Sequence, residues 1–275
     1  MIKIITDSSS ELSQEFAIKH DIIIVPIQVA FGDEEFLDGQ DLDKPTFYAK
    51  LKESENLPKT SLINEARWIE VFEKISNEDQ YIVLPITEKL SGTYNSLRQA
   101  IKTLNLTNVV AIESNQVTSG LGLLIRKALE KINSGATLEQ VVEYIESLKY
   151  KIVTYGVLDS LKSLKAGGRI SSAKAFFGEL LNIKPVLQLK DGVIQQYSKA
   201  SSMKLGKKVL FSKLKENING GGYMLSHADC YSNCEEFAEY IVENTGLEKA
   251  DIDFIGPTVG THIGPNSLLI SIIEE

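Results

Sequence analysis

The chain opens with Met1-Ile2-Lys3-Ile4-Ile5-Thr6-Asp7-Ser8-Ser9-Ser10, the stretch that decides the fold class. An apolar run of strand length, Ile2 to Ile5, ends in a group of short oxygen-bearing side chains. Ser8 and Glu11 have the spacing of a capping box, so a first helix is predicted from about Glu11 to Lys19. A buried strand that leads directly into a helix is typical of a parallel sheet flanked by helices.

The same alternation continues through most of the sequence, where apolar runs of strand length are separated by stretches of helical period. The predicted fold class is therefore α/β. With 275 residues the chain can bury one large core or two modest ones, and we expect two lobes. The pattern changes near Lys151, which places the connection between the lobes at residues 148 to 156.

Three segments carry specific structural expectations. Ile22 to Phe31 is strand-like with Pro26 inside it, which indicates a strand at a sheet edge or beside a bulge. A helix is predicted around Phe176 to Leu181. The segment Gly256 to Pro265, with its three glycines and two prolines, is interpreted as a turn between two strands.

Composition excludes several classes of protein. The formal net charge is −8 and the sequence pI about 5.1, and an acidic chain repels phosphate backbones, so nucleic-acid binding is not expected. The first residues lack the features of a secretory signal, and no apolar stretch is long enough to span a bilayer. We therefore expect a soluble, cytoplasmic protein.

Familiar catalytic signatures are absent from the sequence. It contains neither of the common glycine-rich phosphate-binding loops nor the Gly-x-Ser-x-Gly elbow of serine hydrolases. Cys230 and Cys234 have no second cysteine pair, and the whole chain has only three histidines, so no metal is expected. These absences weigh against ATP hydrolysis, dinucleotide binding and zinc chemistry.

Two hydroxyl-rich turns stand where open α/β sheets bind ligands, at the ends of strands. Ser91, in Leu90-Ser91-Gly92-Thr93, precedes a helix, where its hydroxyl and the free backbone N–H groups of the first turn favour an anion. Thr60 and Ser61 follow Pro58 and offer two adjacent hydroxyls. Serine and threonine are also common helix caps, so a purely structural role is the alternative at both places.

A histidine and an arginine complete the set of candidate residues. His262 lies among the glycines and prolines of residues 256 to 265 and could donate to an acid, although a histidine satisfied by backbone groups is the alternative. Arg169 follows the pair Gly167-Gly168 and could bind a carboxylate or phosphate, with a structural salt bridge as its alternative.

Five motifs, taken in order, resemble those of the DegV family, also known from the FakB subunits of bacterial fatty-acid kinase. They extend over almost the whole chain. The motifs are Thr6-Asp7-Ser8-Ser9-Ser10, Lys59-Thr60-Ser61, Leu90-Ser91-Gly92-Thr93-Tyr94, Gly167-Gly168-Arg169-Ile170-Ser171 and Val259-Gly260-Thr261-His262-Ile263-Gly264-Pro265.

The resemblance implies the DegV fold, with an N-terminal, parallel-sheet, Rossmann-like lobe over residues 1–150 and a C-terminal, mixed-sheet α/β lobe over residues 151–275. It also implies a bound long-chain fatty acid whose tail occupies an apolar tunnel. Arg169 is assigned to the head group or to a partner. Carried over to this chain, the residues that hold the carboxyl group are Thr60, Ser61, Ser91, Gly92 and His262.

A division of labour is also implied by the resemblance. FakB proteins are not enzymes on their own; they offer the acid to a separate kinase subunit, FakA, which supplies ATP and makes an acyl phosphate for phospholipid synthesis. We accordingly expect no cofactor and a FakA-like kinase as partner. Transient contact with a membrane surface is compatible with this role. Which acid is bound and the oligomeric state stay open.

The chain departs from the family pattern in two places. Leu62-Ile63-Asn64 follows Thr60-Ser61 where many members have Gln-Pro-Ser, and Ser201-Ser202 stands where members that partner the kinase tend to have Arg-Thr. Two other functions stay open: a small hydrolase or acyltransferase that uses Ser91 and His262, and an adaptor without a lipid.

Overall fold

A computed structural model describes residues 1–170 and 183–275, and the helix predicted around Phe176 to Leu181 lies outside the described residues. The first half of the chain alternates strands and helices as predicted. A short 3-10 turn at Ser8–Ser10 follows the first strand. The elements of this half are β1 (Ile2–Asp7), α1 (Gln14–Lys19), β2 (Ile23–Val25), β3 (Gln28–Phe31), β4 (Glu34–Leu37), α2 (Lys44–Glu53), β5 (Lys59–Ser61), α3 (Glu65–Phe72), β6 (Gln80–Leu84), α4 (Thr93–Thr103), β7 (Val109–Ala111), α5 (Ser119–Asn133) and α6 (Leu138–Leu148).

The second half begins with a central strand and contains an antiparallel hairpin. Within the described ranges, no helix combines the length and the apolar character needed to cross a bilayer. The elements are β8 (Ile152–Val157), α7 (Lys162–Gly167), β9 (Lys184–Lys190), β10 (Val193–Ala200), α8 (Met203–Glu216), β11 (Tyr223–Ala228), α9 (Tyr231–Thr245), β12 (Ile252–Phe254), α10 (Pro257–Ile263) and β13 (Ser267–Ile273).

Two main sheets and one small sheet organise these elements. The first sheet has the order β2-β1-β6-β7 and is parallel throughout, which confirms the predicted N-terminal sheet. The second sheet has the order β10-β9-β8-β13-β11-β12 and is mixed, since only β11 and β12 pair in parallel. The position of the boundary between the lobes, near residue 150, stays a prediction.

The carboxyl ends of the first-sheet strands face the second sheet. The Asp7 carboxylate, at the end of β1, accepts hydrogen bonds from the backbone N–H groups of Ser9 at 3.0 Å and Ile86 at 2.7 Å. These bonds hold together the loops that follow β1 and β6. The largest apolar core runs across the junction and includes Ile5 from the first sheet and Leu269 from the second.

The capping box predicted at Ser8 and Glu11 is wrong. Asp7 caps the 3-10 turn instead, Glu11 has a left-handed backbone with φ 60°, and α1 begins at Gln14 with Ser13 as its cap. The Glu11 carboxylate accepts a hydrogen bond from the backbone N–H of Gly256 at 2.6 Å. A partner far away in the sequence has therefore replaced the local cap.

Two further expectations are refined by the structure. The apolar run from Ile22 to Phe31 forms two strands, β2 in the parallel sheet and β3 in the small antiparallel sheet β4-β3-β5, and Pro26, which lacks an N–H donor, lies between them. The segment predicted as a turn at residues 256 to 265 contains the helix α10, with Pro257 in its first turn.

A buried ionic cluster joins the first half of the chain to the second. Glu11, only 2% exposed, has the Lys44 Nζ at 3.4 Å from its carboxylate. Asp38 accepts hydrogen bonds from Thr258, and Asp253 pairs with Arg126 at 3.3 Å. Burial raises the pKa of the Glu11 carboxyl to about 8, because leaving water disfavours the charged form more than Lys44 favours it.

Replacing Glu11 by Gln is expected to flatten the pH dependence of stability. The pKa of Glu11 rises from its ordinary value of 4.5 to about 8 in the folded protein. The folded state therefore keeps a proton that the unfolded chain loses, and the wild type loses stability as the pH rises through this window. The Glu11→Gln variant keeps an oxygen acceptor for Gly256 and has no such proton to lose.

Urea unfolding at about pH 5 and about pH 8.5 measures this difference, and the drop in free energy of unfolding should be about 1 to 3 kcal/mol smaller in Glu11→Gln. Glu15→Gln, at an exposed position of α1, is the control and should behave as wild type. Equal drops in Glu11→Gln and wild type would contradict a proton bound at Glu11.

Candidate functional site

A cavity of about 460 Å³ lies where the ends of the first-sheet strands meet the face of the second sheet. This volume falls within the range of about 300 to 1,000 Å³ typical of small-molecule sites. Most of its wall is apolar and buried. The wall includes Ile86, Val117, Leu158, Leu187, Leu189 and Leu269.

The structure brings all the candidate residues named in the sequence to this one cavity. They come from the small sheet, the start of α4, the end of α7 and the end of α10. Ser61 and the neighbouring Leu62 are exposed to solvent, so this polar end lies at the mouth of the cavity. The candidate residues that line the cavity are Thr60, Ser61, Ser91, Gly92, Arg169 and His262.

His262 and Thr60 form the hydrogen bond at the centre of this polar end. The Thr60 Oγ1 and the His262 Nε2 are 2.9 Å apart, although 202 positions separate the two residues in the sequence. Burial lowers the pKa of the His262 imidazole to about 4, and the nearby positive charge of Arg169 acts in the same direction. The imidazole is therefore neutral at physiological pH.

Ser91 is held by a neighbour that the sequence analysis did not single out. Its Oγ lies 2.9 Å from the Thr93 Oγ1, and the Thr93 hydroxyl also accepts a hydrogen bond from the backbone N–H of Ile63 at 3.2 Å. The cap residue of α4 is Gly92, so Ser91 does not occupy the cap position itself. Thr93 thus ties the segment that follows β5 to the Ser91 turn.

Arg169 connects the two sides of the cavity mouth through backbone carbonyls. Its Nε donates to Leu90 at 3.3 Å and its Nη1 donates to Gly167 at 2.6 Å. The contacts described for this guanidinium are thus to carbonyl groups, and its positive charge lies near His262. The alternative role predicted for Arg169 is a structural salt bridge, and neither of these two contacts is a salt bridge.

Two more lining residues carry features that the sequence did not indicate. Thr118 is 2% exposed and has a backbone conformation, φ 55° and ψ −143°, that β-branched residues rarely adopt. Leu62, 47% exposed, packs so close to Gly92 that a Cβ there would lie 3.0 Å from its side chain. Gly92 therefore makes room for an apolar side chain at the mouth.

Chemically, this arrangement suits an amphipathic molecule with a small polar head. The walls can take up an apolar chain, and the mouth offers hydroxyl groups, a neutral imidazole and one positive charge. His262 is paired with Thr60, and Ser91 with Thr93, so the serine and histidine of a hydrolase are each engaged elsewhere.

Comparison with protein families finds one match along the whole chain. A model described as an uncharacterised protein of the DegV family matches residues 1–275. A DegV domain-containing protein of Clostridium perfringens is 32% identical over 283 residues, covering 99% of this chain and 97% of that protein. The protein DegV of Bacillus subtilis is 30% identical and covers 97% of both chains.

Solved structures share the architecture closely. A stearic acid-binding protein of Eubacterium ventriosum superposes with a TM-score of 0.89 at 28% identity, covering 100% of this chain and 99% of the other. DegV of Bacillus subtilis, a fatty acid binding protein, superposes with a TM-score of 0.88 at 26% identity and covers 99% of both chains. The fold with two α/β lobes is thus shared over the full length.

Replacing Thr93 by Val is expected to loosen the mouth of the cavity. Thr93 is fully buried, and its loss leaves the Ile63 N–H and the Ser91 hydroxyl without this partner. The free energy of unfolding in urea should fall by about 1 to 3 kcal/mol. Thr103→Val, at the exposed end of the same helix, is the control and should change stability by less than about 0.5 kcal/mol.

Proposed function

Because this chain belongs to the DegV family, we propose that it binds one long-chain fatty acid, with the tail in the cavity and the carboxyl group at its polar mouth. The observation that carries the proposal is the convergence of three hydroxyl-bearing residues and one neutral histidine on the end of a single apolar cavity. Family relatives with solved structures that bind fatty acids support it.

Burial of the tail supplies most of the affinity. Each methylene removed from water contributes about 0.8 kcal/mol, so a chain of about 14 carbons gains on the order of 10 kcal/mol before the cost of ordering it. Leu187 and Leu189 of β9 and Leu269 of β13 provide part of the surface for this burial. Covalent attachment is not needed for tight binding.

The carboxylate needs hydrogen-bond donors, since an unpaired buried charge costs several kcal/mol. The hydroxyls of Thr60, Ser61 and Ser91 can donate to its oxygens, and the backbone at Gly92 begins a helix whose first N–H groups face an anion favourably. His262 orients Thr60 and remains neutral, and Arg169 supplies the nearby positive charge.

The cavity separates this proposal from the two alternatives. An adaptor without a lipid predicts a solid core behind Ser91, whereas Ser91 lines a cavity of about 460 Å³. A hydrolase predicts that His262 activates Ser91, whereas the imidazole is hydrogen bonded to Thr60. Neither alternative is favoured by a contact at the site.

We further propose that the bound acid is presented to a separate, FakA-like kinase in the cytoplasm, for phospholipid synthesis. A carboxylate oxygen would attack the γ-phosphorus of ATP, forming an O–P bond as ADP leaves, and the acyl phosphate would be the product. The placement of the head-group residues beside the exposed Ser61 and Leu62 supports presentation, because it puts the carboxyl end at the surface.

The Ser91→Ala variant is expected to lose bound acid more readily than Arg169→Ala. A hydroxyl that donates to a charged group contributes about 1.5 to 3 kcal/mol, so removing it should weaken binding by about tenfold or more. Native mass spectrometry of proteins purified without added lipid, followed by titration of delipidated protein with C14 to C18 acids, measures retention and affinity. Wild type that carries and takes up no acid would overturn the proposal, and equal loss in both variants would overturn the roles of these residues.

The kinase step has its own test. Acyl phosphate formed with a FakA-type kinase and ATP can be trapped by hydroxylamine, and the double variant Ser201→Arg, Ser202→Thr should increase its rate about two- to tenfold by adding a positive charge at an exposed position. Ser202 caps α8 by accepting from Leu205 at 3.2 Å, a role that threonine can also fill. Acid binding without any trapped product would remove the kinase role and leave lipid binding intact.

A further inference from the structure

Gly167, the last residue of α7, approaches His262 unusually closely. A Cβ atom built on Gly167 would overlap the Nδ1 of the imidazole and would lie 3.0 Å from its Cε1. One Cα hydrogen of Gly167 therefore points at Nδ1. The ring is confined between this glycine on one side and Thr60, 2.9 Å from Nε2, on the other.

The Nδ1 atom is buried, and it has no hydrogen-bond partner within residues 1–170 and 183–275. A neutral imidazole carries its single proton on one of its two nitrogens. If that proton were on Nδ1, it would be directed against the Cα hydrogen of Gly167, and a buried N–H donor would be left unpaired. With the proton on Nε2, the lone pair of Nδ1 faces the glycine hydrogen instead, and the N–H group meets Thr60.

We propose that Gly167 is a positioning residue for the acid-binding site, because its close contact holds His262 in the tautomer with the proton on Nε2. His262 then donates to Thr60, and the hydroxyl hydrogen of Thr60 is free to point at the ligand. This inference rests on the proposed binding of a carboxyl group at Thr60.

The direction of this hydrogen bond decides whether Thr60 presents a donor or an acceptor to the ligand. In the opposite tautomer Thr60 would donate its only hydrogen to Nε2 and would present lone pairs to the carboxylate, which is repulsive. In the assigned tautomer Thr60 is a donor toward the ligand, as Ser61 and Ser91 can also be. The site thus becomes a set of donors without carrying a charge on the histidine.

Backbone conformation does not explain a glycine at this position. Gly168, the next residue, has φ 70° and ends the helix in the left-handed conformation. Gly167 is helical and is not among the glycines with positive φ, so an alanine could adopt its backbone. Alanine is the better helix former, so helix propensity alone predicts that Gly167→Ala is harmless or stabilising. The contact with His262 predicts the opposite for ligand binding.

The test compares tautomer and affinity in the full-length protein. At neutral pH, long-range ¹H–¹⁵N spectra of protein labelled in its histidines should show an unprotonated Nδ1 and a protonated Nε2 for His262, assigned with His262→Asn. In Gly167→Ala this signature should shift or average, and the affinity for a saturated C16 acid should fall by about tenfold. Ala166→Gly, which loosens the same helix at an exposed position, is the control and should leave both readouts unchanged.

A second comparison isolates the effect of the contact between Gly167 and His262. In a His262→Asn background, adding Gly167→Ala should reduce affinity by less than about twofold, because the imidazole that it displaces is already absent. The inference is overturned by a protonated Nδ1 in the wild type, or by wild-type spectra and affinity in Gly167→Ala. The tautomer is measured without lipid, so a wild type that binds no acid would sink the proposed function while the spectra still decide the role of Gly167.

Discussion

The hydrogen bond between Thr60 and His262 is the contact on which the site depends. It joins the small sheet to α10, two parts of the chain 202 residues apart, at the mouth of an apolar cavity. Burial of the His262 ring disfavours its charged form, so the imidazole is neutral. A shift of α10 relative to β5 would break this bond and would separate His262 from Thr60.

The helix that carries His262 is itself held from the other half of the chain. The start of α10 is bound by two acidic side chains: Glu11 accepts from the backbone N–H of Gly256 at 2.6 Å, and Asp38 accepts from the backbone N–H of Thr258 at 3.0 Å. Carboxylates at a helix start satisfy N–H groups that lack partners within the helix. The buried cluster of acidic side chains thus helps to set the position of α10 and of His262.

Sequence reasoning found the candidate residues because each of them lies at or near the end of a strand or helix, where a local pattern is visible. Ser91 stands out as a hydroxyl between a strand and a helix, and Thr60 and Ser61 as adjacent hydroxyls after Pro58, in a stretch that the structure shows to be strand β5; all three line the cavity. Glu11 and Gly167 could not be found this way. Glu11 looked like part of a local cap, but its partner is 245 positions away, and the role of Gly167 depends on a ring brought to it by folding. Local pattern predicts the elements and the loops, whereas contacts between loops need the assembled fold.

In the proposed complex, the apolar cavity would supply the affinity, and the polar mouth would hold the reacting carboxyl group. Under the proposed function, tail burial on the order of 10 kcal/mol is enough for tight binding, so the polar end does not have to bind strongly. A bidentate pair with arginine would hold the carboxylate with two charge-assisted bonds and occupy both of its oxygens. In this chain the guanidinium of Arg169 is bonded to the carbonyls of Leu90 and Gly167, and hydroxyl groups line the mouth. Under the proposed function, neutral donors that leave lone pairs on the carboxylate keep one oxygen able to attack a phosphoryl group, which is the property that a carrier for a kinase needs.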